Sequence, residues 1–349
     1  MDTSKVQTDK GGPAQPLLSV KNLVKHFSLG KDLLGRSSGV VRAVDGVSFD
    51  VFKGETLSVV GESGCGKSTT ARLLMNLLDR NSGDIIFDGM SVGSSQLPLK
   101  EFRRQAQMVF QDSYASLNPR LTIEDSIAFA PQVHGVPRRE AIERARSLLT
   151  KVGLEPRRFA ERYPHELSGG QRQRINIARA LALQPRLIVL DEAVSALDKS
   201  VEAQVLNLLL DLKDEFGLTY LFISHDLNVV RFISDRVMVM YLGQVVEIGD
   251  SETVFNSPKH PYTQALLSSI PSLDPDNRTE KPPLTGDPPN PINPPSGCRF
   301  HTRCAYAQPI CAQQEPQLAG QADGQSVACL RYVPNSAYDH NKQPAEVTA

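Results

Sequence analysis

Gly61 to Thr69 reads GESGCGKST, and this stretch decides how the rest of the chain is understood. It satisfies G-x-x-x-x-G-K-[ST] at Gly61, Gly66, Lys67 and Ser68. In such a loop the glycines allow a tight backbone turn that aims several N–H groups at one anion. Lys67 reaches the terminal phosphates and the Ser68 hydroxyl is suited to ligate Mg²⁺. The flanks agree: TLSVV (Thr56 to Val60) predicts a buried strand, and Ser68 to Leu78 has the apolar spacing of a helix. Glu62, Ser63, Gly64, Cys65 and Thr69 complete the expected phosphate cradle.

Moving outward, the next phosphate-related feature is LSGGQ, Leu167 to Gln171, placed just before a long helical pattern. Ser168, Gly169 and Gly170 would offer a hydroxyl and exposed amides at the positive end of that helix, a second anion-binding terminus. Downstream, Leu187 to Leu190 run without interruption into Asp191-Glu192. A buried parallel strand delivers side chains at its carboxyl end in this way. After a phosphate loop, Asp191 is a candidate Mg²⁺ ligand and Glu192 a candidate base for water. SALD (Ser195 to Asp198) follows, and then TYLFIS (Thr219 to Ser224) leads to His225-Asp226. His225 at a strand end is either a ligand contact or a solvated residue.

Between the phosphate loop and LSGGQ, MVFQDSYASLNPR (Met108 to Arg120) predicts a short strand ending at Gln111 and opening into a polar loop. SGDIIFDGM (Ser82 to Met90) predicts a hairpin with an Asp88-Gly89 turn, and Thr122 to Leu154 is helical in pattern. Upstream, Leu17 to Leu23 and Val41 to Val51 read as strands, with Phe27 between them. Phe27 either stacks on an adenine ring or packs in the local core. His165-Glu166 lacks the second His of a zinc-protease motif.

Composition excludes some classes. Of 349 residues, 40% are hydrophobic and 22% charged, as in soluble globular proteins. A net charge of -1 gives no electrostatic footprint for nucleic acid. No apolar run reaches the roughly 18 residues that span a bilayer. The polar N-terminus lacks the apolar core of a secretory signal, which predicts a cytosolic chain. Four of the five cysteines, Cys298, Cys304, Cys311 and Cys329, cluster near the C-terminus behind a Pro-rich stretch. Their C-x₅-C-x₆-C-x₁₇-C spacing is neither a zinc ribbon nor a ferredoxin pattern. Four thiolates form a complete set for a [4Fe–4S] cluster or for Zn²⁺, while free or disulfide-bonded cysteines are the third reading.

The ordered set GESGCGKST, Gln111, LSGGQ, LIVLDE, SALD and His225 resembles the nucleotide-binding subunit of an ABC transporter over about Leu17 to Val254. HPYTQALL, the Pro-rich linker and GCRFHTRC look like the C-terminal extension of bacterial dipeptide/oligopeptide importer ATPases. The wording of LNPR, SGGQRQRINIARAL and GLTYLFISHDLNVVRFISDRVMVMYLG is more similar to the F-type than to the D-type subunit. The resemblance implies an α/β P-loop ATPase fold, with a RecA-like core, an antiparallel β-subdomain and a helical subdomain, followed by a small Cys-rich domain. It partitions the chain into a disordered start (1–16), the nucleotide-binding domain (17–255), a helix and linker (256–296), the Cys-rich domain (297–332) and a disordered tail (333–349).

The same resemblance implies an ATPase that powers import of dipeptides, oligopeptides or related solutes. It would work as a head-to-tail heterodimer with a D-type ATPase on two membrane permeases, served by a substrate-binding protein at the cytoplasmic face of the inner membrane. Lys67, Glu192, His225 and Gln111 would be catalytic, and Ser68, Gln111 and Asp191 would serve Mg²⁺. Phe27 would stack on adenine. Ser168 to Gln171 would act on the partner's ATP and Asp198 would communicate across the dimer. The resemblance favours an iron–sulfur cluster on the four cysteines. The competing class is a soluble ABC ATPase acting on nucleic acid or ribosomes, which usually carries long coiled-coil insertions or two cassettes per chain.

Overall fold

The computed structural model describes residues 12, 14–29, 39–270, 289–334 and 336–341. Most of the two ends expected to be disordered, and most of the Pro-rich linker, lie outside these residues, but within the expected disordered tail Tyr338 is buried and its hydroxyl donates to the Tyr306 carbonyl at 2.8 Å. The chain divides into two compact units that interleave in sequence: Met1–Ser19, Asp50–Thr56 and Ile85–Ser224 form one, and Val20–Phe49, Leu57–Asp84 and His225–Ala349 the other.

In the first unit the strands Ala106–Val109, Leu187–Asp191 and Thr219–Ile223 are parallel, with Ala106 opposite Leu187 and Leu187 opposite Thr219. Every residue of the latter two strands is buried. Near-continuous Leu/Ile/Val runs form such strands because both faces are covered. The first strand ends at Val109, so Gln111 lies in the following loop instead of closing the strand. The predicted helical region resolves into Ile123–Val133 and Arg138–Lys151, joined by a short turn at Gly135. Thr122 caps the first helix by accepting from the Asp125 N–H at 3.3 Å. Both pack on the helix Gly169–Leu181. The predicted hairpin forms between Ser82–Phe87 and Met90–Ser91, its Asp88-Gly89 turn having positive φ at both residues, as a type I′ turn requires.

In the second unit Leu57 to Val60 pair in parallel with Arg236–Tyr241, and that strand pairs antiparallel with Gln244–Asp250 around a Leu242-Gly243 turn. The strand Leu18–Ser28 lies beside Val40–Val51, the Asn22 N–H donating to Ser48 Oγ at 2.8 Å. The C-terminal region is built into this unit. Ser326–Val327 pairs antiparallel with Gln244–Asp250, and Ala319–Gly320 pairs with Ser326–Val327. Two-residue strands carry almost no sequence pattern. The helix Pro261–Ser268 is capped by His260, whose ring accepts from the Tyr262 N–H at 3.0 Å. Burial pushes the His260 pKa down to about 3, keeping the ring neutral so that it can accept.

Candidate functional site

The phosphate loop turns on glycine. Gly61 has φ 149° and Gly66 has φ 108°, and a Cβ on either would stand 2.2 Å from a backbone carbonyl oxygen, of Met240 and Ala43 respectively. The helix Lys67–Leu74 begins at Gly66 with no side-chain cap, which leaves first-turn N–H groups directed out of its positive end. Lys67 is buried, and its ammonium donates to the Gly61 carbonyl at 2.7 Å and the Glu62 carbonyl at 3.1 Å. Ser68 and Thr69 are half-buried, and Ser63 and Gly64 are exposed. Burial pushes the Cys65 thiol pKa up, so it packs as a neutral group within the loop.

In the first unit, Asp191 ends its strand buried. Glu192 stands next to it in the left-handed region at φ 49°, an uncommon place for a non-glycine residue. Its N–H donates to the Ile223 carbonyl at 3.0 Å, while its side chain accepts from Gln111 Nε2 at 2.9 Å. The structure therefore brings together two predicted site residues 81 positions apart. Backbone strain of this kind persists only where the surroundings impose it. The Ser195 hydroxyl also donates to the Glu192 carbonyl at 3.0 Å.

Ser168 is the N-cap of Gly169–Leu181 and forms a capping box: its Oγ accepts from the Gln171 N–H at 3.3 Å, and its own N–H donates to Gln171 Oε1 at 3.0 Å. Ser168 is exposed and the two glycines half-exposed, so the positive helix end is open. Asp198 is exposed at the start of Lys199–Phe216. His225 is exposed immediately before Asp226, the cap of Leu227–Ile233. Phe27 is 37% exposed with the Lys25 ammonium 5.1 Å from its ring centre, so it is not a core residue.

Cys298, Cys304, Cys311 and Cys329 all line one small cavity of about 20 Å³, together with Tyr306, Leu330 and Tyr338. No disulfide joins them. The Cys298 N–H donates to the Cys311 carbonyl at 2.7 Å, folding the first and third cysteines onto each other. Burial pushes the Cys298 and Cys304 thiols up to about 12 and raises Cys329 as well. Among the described residues, no three His, Cys, Asp or Glu side chains are gathered so as to hold a metal ion. Neither of the metal centres considered from the sequence, an iron–sulfur cluster or Zn²⁺, is assembled as a ligand group among the described residues.

Sequence reading missed Arg303 and Tyr262. Arg303, next to Cys304, forks onto Glu62 of the phosphate loop at 2.9 and 3.0 Å, and this pairing raises the guanidinium pKa. The Tyr262 hydroxyl accepts from the Glu62 N–H at 2.8 Å. The only sequence signals were an Arg inside a cysteine motif and the Tyr of His260-Pro261-Tyr262.

No described helix is long and apolar enough to cross a membrane. Residues 44–195 match the ABC transporter family, and residues 246–311 match the C-terminal region of oligopeptide/dipeptide transporters. The chain is 51% identical to the oligopeptide transport ATP-binding protein AppF of Bacillus subtilis (strain 168), over 91% of this chain and 98% of that protein. It is also 51% identical to the probable peptide ABC transporter ATP-binding protein y4tS of Sinorhizobium fredii, over 92% and 91%. Among solved structures it resembles cbiO1 of Clostridium perfringens, part of an ABC transporter complex, with TM-score 0.59 and 27% identity over 69% of this chain and 91% of that one. It resembles too a dimeric ATP-binding cassette in a post-hydrolysis state bound to ADP and Pi, with TM-score 0.57 and 30% identity over 67% and 98%. The intact phosphate loop, the acid pair after a buried strand, the capped LSGGQ helix and these likenesses agree: the chain belongs to the ABC transporter ATPases.

Proposed function

We propose that this ATPase powers import of peptides or related small solutes. It would work as the F-type member of a head-to-tail pair with a D-type ATPase, attached to two permeases at the cytoplasmic face of the membrane. The observation that carries this reading is the near-complete span of likeness to AppF, together with the oligopeptide/dipeptide transporter region at residues 246–311. The dimeric state of the cassette solved with ADP and Pi supports the pairing. Nothing in the charge or the relatives favours nucleic acid or ribosomes.

In this reading Lys67 and the loop amides bind the nucleotide phosphates, His225 touches the γ-phosphate and Phe27 stacks on adenine. Glu192 takes the proton of the attacking water, and Gln111 orients that carboxylate through the 2.9 Å bond. Ser68, Gln111 and Asp191 supply the oxygen donors that suit Mg²⁺, which neutralises phosphate charge when bound. Ser168, Gly169, Gly170 and Gln171 at the open helix end act on the partner's ATP, and Asp198 communicates across the interface. ATP-driven closure of the pair then moves the permeases. The test is reconstitution of the chain with a D-type ATPase, the two permeases and the receptor. ATP hydrolysis should rise severalfold when the receptor carries peptide. A chain that hydrolyses at full rate alone and binds no permease overturns the assignment.

The four cysteines would hold a [4Fe–4S] cluster. They line one common cavity and supply the four thiolates that such a cluster takes. Such a cluster would brace a small domain with little core of its own. Anaerobically purified protein should be brown with broad absorbance near 400 nm, and Cys304→Ser should bleach it. Colourless wild-type protein with no iron would remove the cluster from the reading.

A further inference from the structure

We infer that Arg303 is a positioning residue for the phosphate loop, so that the cysteine-rich region sets the nucleotide affinity of an ATP site 241 residues upstream. The inference rests on membership of the ATPase family and on neither the cargo nor the cluster.

The contact is a two-pronged guanidinium–carboxylate fork. Arg303 Nη1 donates to Glu62 Oε2 at 2.9 Å and Nη2 donates to Oε1 at 3.0 Å. The Arg303 side chain is 6% exposed and that of Glu62 22%. A desolvated fork is geometrically demanding and stronger than a surface pair of point charges. Nη1 also donates to the Tyr241 hydroxyl at 3.3 Å, which fixes the guanidinium plane. The backbone of Glu62 is held separately, its N–H donating to the Tyr262 hydroxyl at 2.8 Å. Tyr262, Tyr241 and Phe300 pack ring to ring, with centroids 4.6, 5.3 and 5.4 Å apart. These rings tie the two anchors of Glu62 into one rigid group.

Glu62 matters because its carbonyl accepts from the Lys67 ammonium at 3.1 Å. A shift of Glu62 therefore moves the acceptor that orients the phosphate-binding lysine. The far end of the loop is tied to the same region. The Gly243 N–H donates to the Cys65 carbonyl at 2.8 Å, and Arg299 donates to the neighbouring Leu242 carbonyl and to Asp45. A glycine-rich loop gathers its amides around phosphate at an entropic cost, and anchoring it beforehand removes part of that cost from binding.

The experiment titrates ATP into the full-length chain and, in the assembled transporter, resolves KM from kcat. Arg303→Ala should weaken ATP binding roughly tenfold. It should raise KM by the same factor with kcat retained. Arg303→Lys should recover only part of the loss, because an ammonium cannot reproduce the fork. Glu62→Gln should weaken binding to a similar extent, and the double variant should bind no worse than either single variant, since both remove one interaction. If Arg303→Ala does not fold, Glu62→Gln and Tyr262→Phe still carry the test, since both leave the cysteine region intact. Unchanged ATP affinity in the folded variants, a fall in kcat at constant KM, or additive losses in the double variant would each overturn the proposal.

Discussion

Glu192→Gln should lower ATP hydrolysis in the assembled transporter by roughly 10²–10⁴-fold, the range that a positioned general base contributes. ATP affinity should stay within about twofold, because in the proposed reading the glycine-rich loop and Lys67 hold the phosphates, and the substitution leaves no gap. Glutamine matches glutamate in size and can adopt the same left-handed backbone, so the φ of 49° and the N–H bond to Ile223 should persist. What disappears is the carboxylate that accepts from Gln111 and that, in the proposed reading, takes the proton. Single-turnover phosphate release, measured beside an ATP titration, separates the two effects. Unchanged hydrolysis would remove Glu192 from the role of base; equal losses of binding and hydrolysis would mean that it holds the nucleotide instead.

Gly66→Ala should weaken ATP binding by roughly 100-fold, about 2.7 kcal/mol. Two costs act at one position. The backbone has φ 108°, where an L side chain is strained, and the added methyl would meet the Ala43 carbonyl oxygen at 2.2 Å. The obstacle is backbone, so no side-chain rotation relieves it. The loop must open, and the turn that starts Lys67–Leu74 must shift with it. Gly64→Ala is the internal control: its φ of 78° carries strain, but nothing lies within 4 Å of the added methyl. It should cost clearly less. Equal affinities in the two variants would mean that backbone strain alone, and not the close approach to Ala43, shapes the loop.

Much of this was legible in the chain because the features concerned are local. A phosphate cradle is made by consecutive backbone amides, so GESGCGKST declares it wherever it sits. The unbroken Leu187 to Leu190 run declares a strand buried on both faces, and Asp191-Glu192 declares its carboxyl end. The Ser168-x-x-Gln171 pattern anticipates a capping box, and the box is present. Gln111 was misplaced by two residues because apolar pattern does not mark where a ladder stops. For Phe27 the local sequence left both stacking and core burial open, and only its exposure decided against the core. The cysteines stay open for a related reason: spacing counts ligands, whereas coordination depends on where the sulfurs point.

By itself, then, the sequence determined the ATP-handling chemistry, the order of its parts and the family. The tertiary structure decided what the C-terminal region does to that chemistry. Ser326–Val327 extends a strand pair of the second unit, Tyr262 takes the Glu62 N–H, and Arg303 takes the Glu62 carboxylate. Charged residues distant in sequence read as solvated by default, since water satisfies either one alone. Only folding, by burying the guanidinium and bringing a matching carboxylate within 3.0 Å, turns such a pair into a link.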